Sequence, residues 1–139
     1  SEDENKYHEF LILDVDCFKQ INDIYGHAVG DIVLQKFGKL LKGTFREGDI
    51  LGRIGGDEFG VIMKNIQTKD IAMKKAEELL AKTQAYRIDE LKGNNISISI
   101  GISTAPQDGD CYMDLYKRAD QALYQAKRSG KARVCNYFS

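Results

Sequence analysis

The chain has 139 residues, three cysteines and a formal net charge of −1. That length suits one domain with its own core, and 42% apolar and 29% charged residues are ordinary globular values. Near-neutral charge excludes a bulk pull toward nucleic acid or anionic membranes, so neither contact is expected and any bound anion needs a local site.

Cys17, Cys111 and Cys135 lie far apart. Their odd number and wide spacing fit neither a disulfide framework nor a zinc site, and they read as free thiols in a reducing compartment, which points to the cytoplasm. The sequence shows no signal peptide and no apolar run of membrane length. It begins at Ser1 without Met. Residues 1–139 are therefore read as a single domain excised from a longer chain, one form of which would be the cytoplasmic part of a membrane-bound receptor.

Ser1 to Lys6 is polar and reads as disordered. From Glu9 to Val15 an apolar run reads as a buried strand ending in carboxylates. Phe18, Ile21 and Tyr25 then recur at helical spacing, with Gly26 as a stop. A second helix is expected from about Gly30 to Phe45, with Leu34, Phe37, Leu41 and Phe45 on one face. Ile50–Ile54 and Phe59–Met63 read as the arms of a hairpin whose turn is Gly55–Glu58. A long helix from about Thr68 to Tyr86 would bury Ala72, Ala76, Leu79 and Leu80. In "NISISIGIS", Ile96, Ile98, Ile100 and Ile102 alternate with serines, the pattern of a half-buried strand. A helix from about Met113 to Lys127 and a last strand, "ARVCNYF", complete the chain.

The expected order is β-α-α-β-β-α-β-α-β, which contains a ferredoxin-type core. The fold class is α+β, a palm-type βααββαβ core with a mainly antiparallel central sheet flanked by helices. In such a core Asp14 and Asp16 would approach Asp57 and Glu58. Converging carboxylates suit a hard divalent cation, Mg²⁺ or Mn²⁺, that completes its shell with phosphate oxygens. Gly55 and Gly56 would tolerate positive φ and let a ligand come close. Taken alone, an Asp-Glu pair after two glycines is more often a solvated hairpin tip.

"GGDEF" at Gly55–Phe59 carries a more specific signal, together with "DVDCFKQINDIYGHAVGD", "SIGIS" and "RADQALYQAKRSGK". From Phe10 to Val134 the chain resembles the GGDEF family, the diguanylate cyclases. The resemblance implies condensation of two GTP into cyclic di-GMP with release of two pyrophosphates. It implies metal ligation by Asp14, Asp57 and the Val15 carbonyl. Glu58 would serve a second metal or help deprotonate the attacking 3′-hydroxyl. Asn22 and Asp31 match guanine-binding positions, whose polar groups would be left unpaired by the wrong base. Lys19, Lys127 and Lys131 match phosphate-contacting positions, although the family more often has Arg where Lys131 stands, and lysine lacks the bidentate fork. His27 reads as structural, and His8 as solvent-facing.

Without the family, Asn22 reads as a helix-surface amide and Asp31 as a helix N-cap. Arg46 and Asp49 alone read as an i,i+3 ion pair, yet they precede Gly55 at the offset of the family's product-inhibition site. One guanine reader per chain implies a catalytic homodimer, and the family implies an upstream sensory module. The segment D-x-L-T-x-L-x-N-R that usually precedes the first strand is not found before Glu9. The alternatives are a catalytically inactive module binding GTP or cyclic di-GMP, and a pure dimerisation scaffold. The cyclase reading requires Asp14 to meet the Asp57–Glu58 pair closely enough to share a divalent ion; oxygens splayed far apart, or an arginine or lysine plugged between them, would overturn it.

Overall fold

A computed structural model describes residues 6–138. The reading of Ser1 to Lys6 as disordered therefore lies, Lys6 apart, outside the described residues. The strands are β1 (Tyr7–Val15), β2 (Ile50–Gly55), β3 (Glu58–Ile66), β4 (Ile98–Ala105) and β5 (Val134–Asn136). The helices are α1 (Phe18–Tyr25), α2 (His27–Thr44), α3 (Asp70–Ala85) and α4 (Tyr112–Arg128). The five strands form one sheet in the order β2-β3-β1-β4-β5, antiparallel except where β5 runs parallel to β4. The expected order of elements and the α+β class are those observed.

Alternation along β1 sorts the helices onto two faces. Leu11, Leu13 and Val15 join the main core with Phe37, Leu41, Ala72, Ala76 and Leu79 from α2 and α3. Phe10 and Ile12 point the other way and pack with Ala119 and Leu123 of α4. Asp14 has the parity of Phe10 and Ile12, so the strand delivers its carboxylate to the α4 side.

Two differences from the sequence reading have plain causes. β4 is buried on both faces rather than half-buried, with Ser99 and Ser103 as inaccessible as the isoleucines. Helix α4 covers the serine face, and Gly101 allows it, because a Cβ there would stand 2.2 Å from the Ala119 carbonyl oxygen and 2.3 Å from the Leu123 nitrogen. α2 starts at His27, not near Gly30. Gly26, at φ +93°, both ends α1 and precedes α2, a conformation that favours glycine. Asp31 thus sits inside the helix and is not its cap.

Candidate active site

The register of β1 against β3 pairs Asp14 with Glu58. One residue along, Leu13 pairs with Phe59, whose ring enters the main core and meets Phe37 edge to face at 5.1 Å. Phe59 thus anchors the hairpin on α2 while the strand pleat turns Glu58 toward Asp14. Gly56, at φ +53°, makes the turn and Asp57 lies at its tip. Gly55 does not take positive φ, so the backbone freedom expected of both glycines is used at Gly56 alone. Arg53 braces the turn, donating from Nε to the Gly56 carbonyl at 2.7 Å.

Asp14 is buried, and its Oδ1 has no hydrogen-bond partner among the described residues. Burial pushes its carboxyl from the ordinary 3.8 up to about 6. The ion pair with Lys127 opposes that rise, and the charges of Asp57 and Asp16 add to it. Lys127 was expected on phosphate, but its Nζ donates to Asp14 Oδ2. The lysine therefore occupies one oxygen of Asp14 and leaves the other bare. Asp16 does not join the cluster as expected. Its Oδ1 accepts from Ser99 Oγ at 2.6 Å, and its Oδ2 accepts from Ser97 Oγ and from the Ala132 N–H. It ties β1 to β4 and to the segment after α4. Lys131 lies in that segment, 3.3 Å from Cys17 Sγ.

The donor chemistry suits a hard cation, but among the described residues the group of three whose ligand atoms lie within 4.8 Å of one another is the exposed Asp110, Cys111 and Asp114, so Asp14, Asp57 and Glu58 are not drawn together that closely. The donors on offer are carboxylate oxygens and a strand-end carbonyl, and Asp14 Oδ1 is a buried acceptor without a donor among the described residues.

On the other side of the hairpin, Asp31 lines a cleft of about 440 Å³ with Leu34, Gln35, Arg53 and Phe59. Asn22 belongs to α1 and reaches α2 beside Gly30, the residue before Asp31. Its Oδ1 is also buried without a partner among the described residues. Lys19 is exposed on α1, one turn before Asn22, and His27 is exposed at the start of α2.

Residues 1–133 match the family model described as "Diguanylate cyclase, GGDEF domain". The chain belongs to the GGDEF family. It is 41% identical over 125 residues to Diguanylate cyclase A of Treponema denticola, a match covering 89% of this chain and 33% of that protein. The chain thus spans about a third of that relative's length. Its structure resembles the GGDEF domain of TpbB (YfiN) from Pseudomonas aeruginosa, with a TM-score of 0.93, 33% identity and coverage of 99% of this chain and 86% of that one. It also resembles the GGDEF domain of DgcB from Caulobacter crescentus, solved in complex with c-di-GMP, with a TM-score of 0.87, 27% identity and coverage of 97% and 80%.

Elsewhere on this GGDEF domain, Arg46 and Asp49 hold each other. Nε and Nη2 of Arg46 donate to Asp49 Oδ1 at 3.0 and 2.7 Å, and the Arg46 N–H donates to Oδ2 at 2.8 Å. The Asp49 side chain is fully buried while that of Arg46 is partly exposed. The ion pair that the residues suggest by themselves is present.

Sequence reasoning gave no role to Arg53 or Tyr116. Tyr116 on α4 donates its hydroxyl to Glu58 Oε1 at 2.9 Å, which pushes the phenol up to about 12. Its signal was weak: one more aromatic on an amphipathic helix. The serines that hold Asp16 were visible, but as the outer face of a strand.

Proposed function

We propose that this domain is the catalytic unit of a diguanylate cyclase, condensing two GTP into cyclic di-GMP with release of two pyrophosphates. One observation carries the reading beyond family membership. Asp14 stands opposite Glu58 beside the glycine turn that bears Asp57, with a buried carboxylate oxygen left bare. Asp14, the Val15 carbonyl, Asp57 and Glu58 would hold Mg²⁺ or Mn²⁺, which when bound would activate the attacking 3′-oxygen and neutralise charge on the phosphates.

The chain's own residues supply the rest. Asn22 and Asp31 take the guanine edge, a carboxylate accepting two donors that adenine lacks on that edge. Gly55 and Gly56 present open backbone to the substrate. Lys19, Lys127 and Lys131 meet the triphosphate, Lys127 exchanging Asp14 Oδ2 for phosphate oxygens. Glu58, oriented by Tyr116, stands ready to receive the 3′-hydroxyl proton. Arg46, the exposed member of its pair with the buried Asp49, would carry a second nucleotide site that captures the product, with Asp49 holding the guanidinium in place; DgcB, crystallised with c-di-GMP, supports a product-binding family habit. Regulation would come from further modules of a longer chain, consistent with a relative of which the match covers 33%.

The seating of Lys127 on Asp14 favours a second reading, a regulatory module that binds GTP or cyclic di-GMP without turnover. Incubation with GTP and Mg²⁺ separates the two. The expected result is cyclic di-GMP with two pyrophosphates per product, falling at least about 100-fold in Asp57→Ala and Glu58→Ala with unchanged circular dichroism. Bound GTP without product would replace the cyclase reading with the second, and no nucleotide binding would leave a scaffold. Added cyclic di-GMP should slow the wild type and not Arg46→Ala; equal slowing of both would remove the product site from Arg46.

A further inference from the structure

We infer that Gly30 is a positioning residue for base recognition, keeping open the space in which Asn22 presents its amide to guanine. The inference rests on the reading of Asn22 given above. Gly30 lies in α2 with ordinary helical backbone and does not take positive φ. Alanine is the better helix former at such a position, so glycine needs another reason. A Cβ on Gly30 would fall 1.9 Å from Asn22 Oδ1, 3.1 Å from Asn22 Cγ and 3.2 Å from Phe18 Cζ.

The 1.9 Å contact is impossible for real atoms, and the group it strikes is the free end of a side chain rather than backbone. Asn22 would swing aside while the two helices stayed packed. The amide that would move is the one whose Oδ1 is buried and has no donor among the described residues. A buried acceptor without a partner is unfavourable unless a ligand completes it. The N1–H and exocyclic amine of guanine are donors of the right kind. Gly38, eight residues later in α2, offers a contrast: a Cβ there would meet only Phe59 Cε2, at 4.0 Å.

The test measures affinity for a non-hydrolysable GTP analogue with Mg²⁺, and for the matching adenine analogue, in Gly30→Ala, Asn22→Ala, the double variant and Gly38→Ala. The expected loss for the guanine analogue in Gly30→Ala is about tenfold or more. The adenine analogue should bind no worse than to wild type, and the melting temperature should hold. The double variant should bind as Asn22→Ala does, because Gly30 acts through a side chain no longer there. Gly38→Ala should bind as wild type. Wild-type affinity in Gly30→Ala would overturn the inference, as would a double variant weaker than Asn22→Ala by the full Gly30→Ala factor. Should Gly30→Ala fail to fold, a folded double variant would support the collision with Asn22, and an unfolded one would refute it. If Asn22→Ala itself binds normally, the base-reading role of Asn22 fails first, and Gly30 loses its function with it.

Discussion

Glu9 lies on β1 with 1% of its surface exposed, its Oε2 accepting from Thr104 Oγ1 at 2.7 Å and its Oε1 without a partner among the described residues. Burial pushes its carboxyl from the ordinary 4.5 to about 7. The Thr104 hydrogen bond and Lys69 oppose the rise, while Asp108 adds to it. A raised folded-state value means that the native protein binds this proton more tightly than the unfolded chain does. The contribution to stability is complete below about pH 4.5 and is lost as pH rises through about 7, a span on the order of 3 kcal/mol. Glu9→Gln should therefore match wild type in melting temperature near pH 5 and exceed it at pH 8. Asp14, whose carboxyl is also raised, slopes the same way in both proteins, so the difference between their curves isolates Glu9. Parallel curves would show that Glu9 is already ionised in the fold or that its burial costs nothing. The sequence reading gave Glu9 only as the first residue of an apolar run and said nothing of its burial, and its partner Thr104, on another strand, could not be seen locally.

At the scale of elements, periodicity carried most of the fold. Helical spacing marked α1 to α4, and the glycine turn marked the β2–β3 hairpin. β4 was misread because its alternation of Ile and Ser describes one polar face without saying what covers it. The covering is done by α4 through Ala119 and Leu123, and no local pattern says that Gly101 lets that helix lie so close. The same limit hid the grip of Ser97 and Ser99 on Asp16, which depends on β1 lying beside β4, and the pairing of Lys127 with Asp14, which depends on how the end of α4 meets β1. Helix α2 carries a testable local flaw. Gly38 sits mid-helix where a Cβ would find only an ordinary contact with Phe59. Gly38→Ala should stabilise the domain by about 0.5–1 kcal/mol through helix propensity and a less free unfolded chain. Thermal melting should show a rise of roughly 2–4 °C. A fall would mean that the Phe37–Phe59 pair has no room for a methyl group.

At the end of the sheet where β1 finishes and the β2–β3 hairpin turns, Asp14 stands opposite Glu58, and Asp57 lies at the turn. Cyclic di-GMP needs two phosphodiester bonds, each made when the 3′-oxygen of one guanosine attacks the α-phosphorus of the other. On the proposed reading a single copy of this site would hold a single GTP and have no second nucleotide to attack. The simplest arrangement that supplies one is two copies facing across a two-fold axis, each bringing its own nucleotide to the other's 3′-oxygen. If that is how this domain works, turnover per protomer cannot be constant. At low protein concentration it should rise in proportion to concentration, and it should level off once most protomers are paired, with the half-maximal point reporting the dimer's dissociation constant. Fusing a parallel coiled coil ahead of Tyr7 should flatten the curve at its upper level by supplying the pairing intramolecularly. Addition of excess Asp57→Ala protomers to a fixed amount of wild type should lower product formation, because mixed pairs complete only one of the two bonds. A rate per protomer independent of concentration, and untouched by the Asp57→Ala protein, would mean that one copy performs both condensations, and the facing-pair arrangement would have to be abandoned.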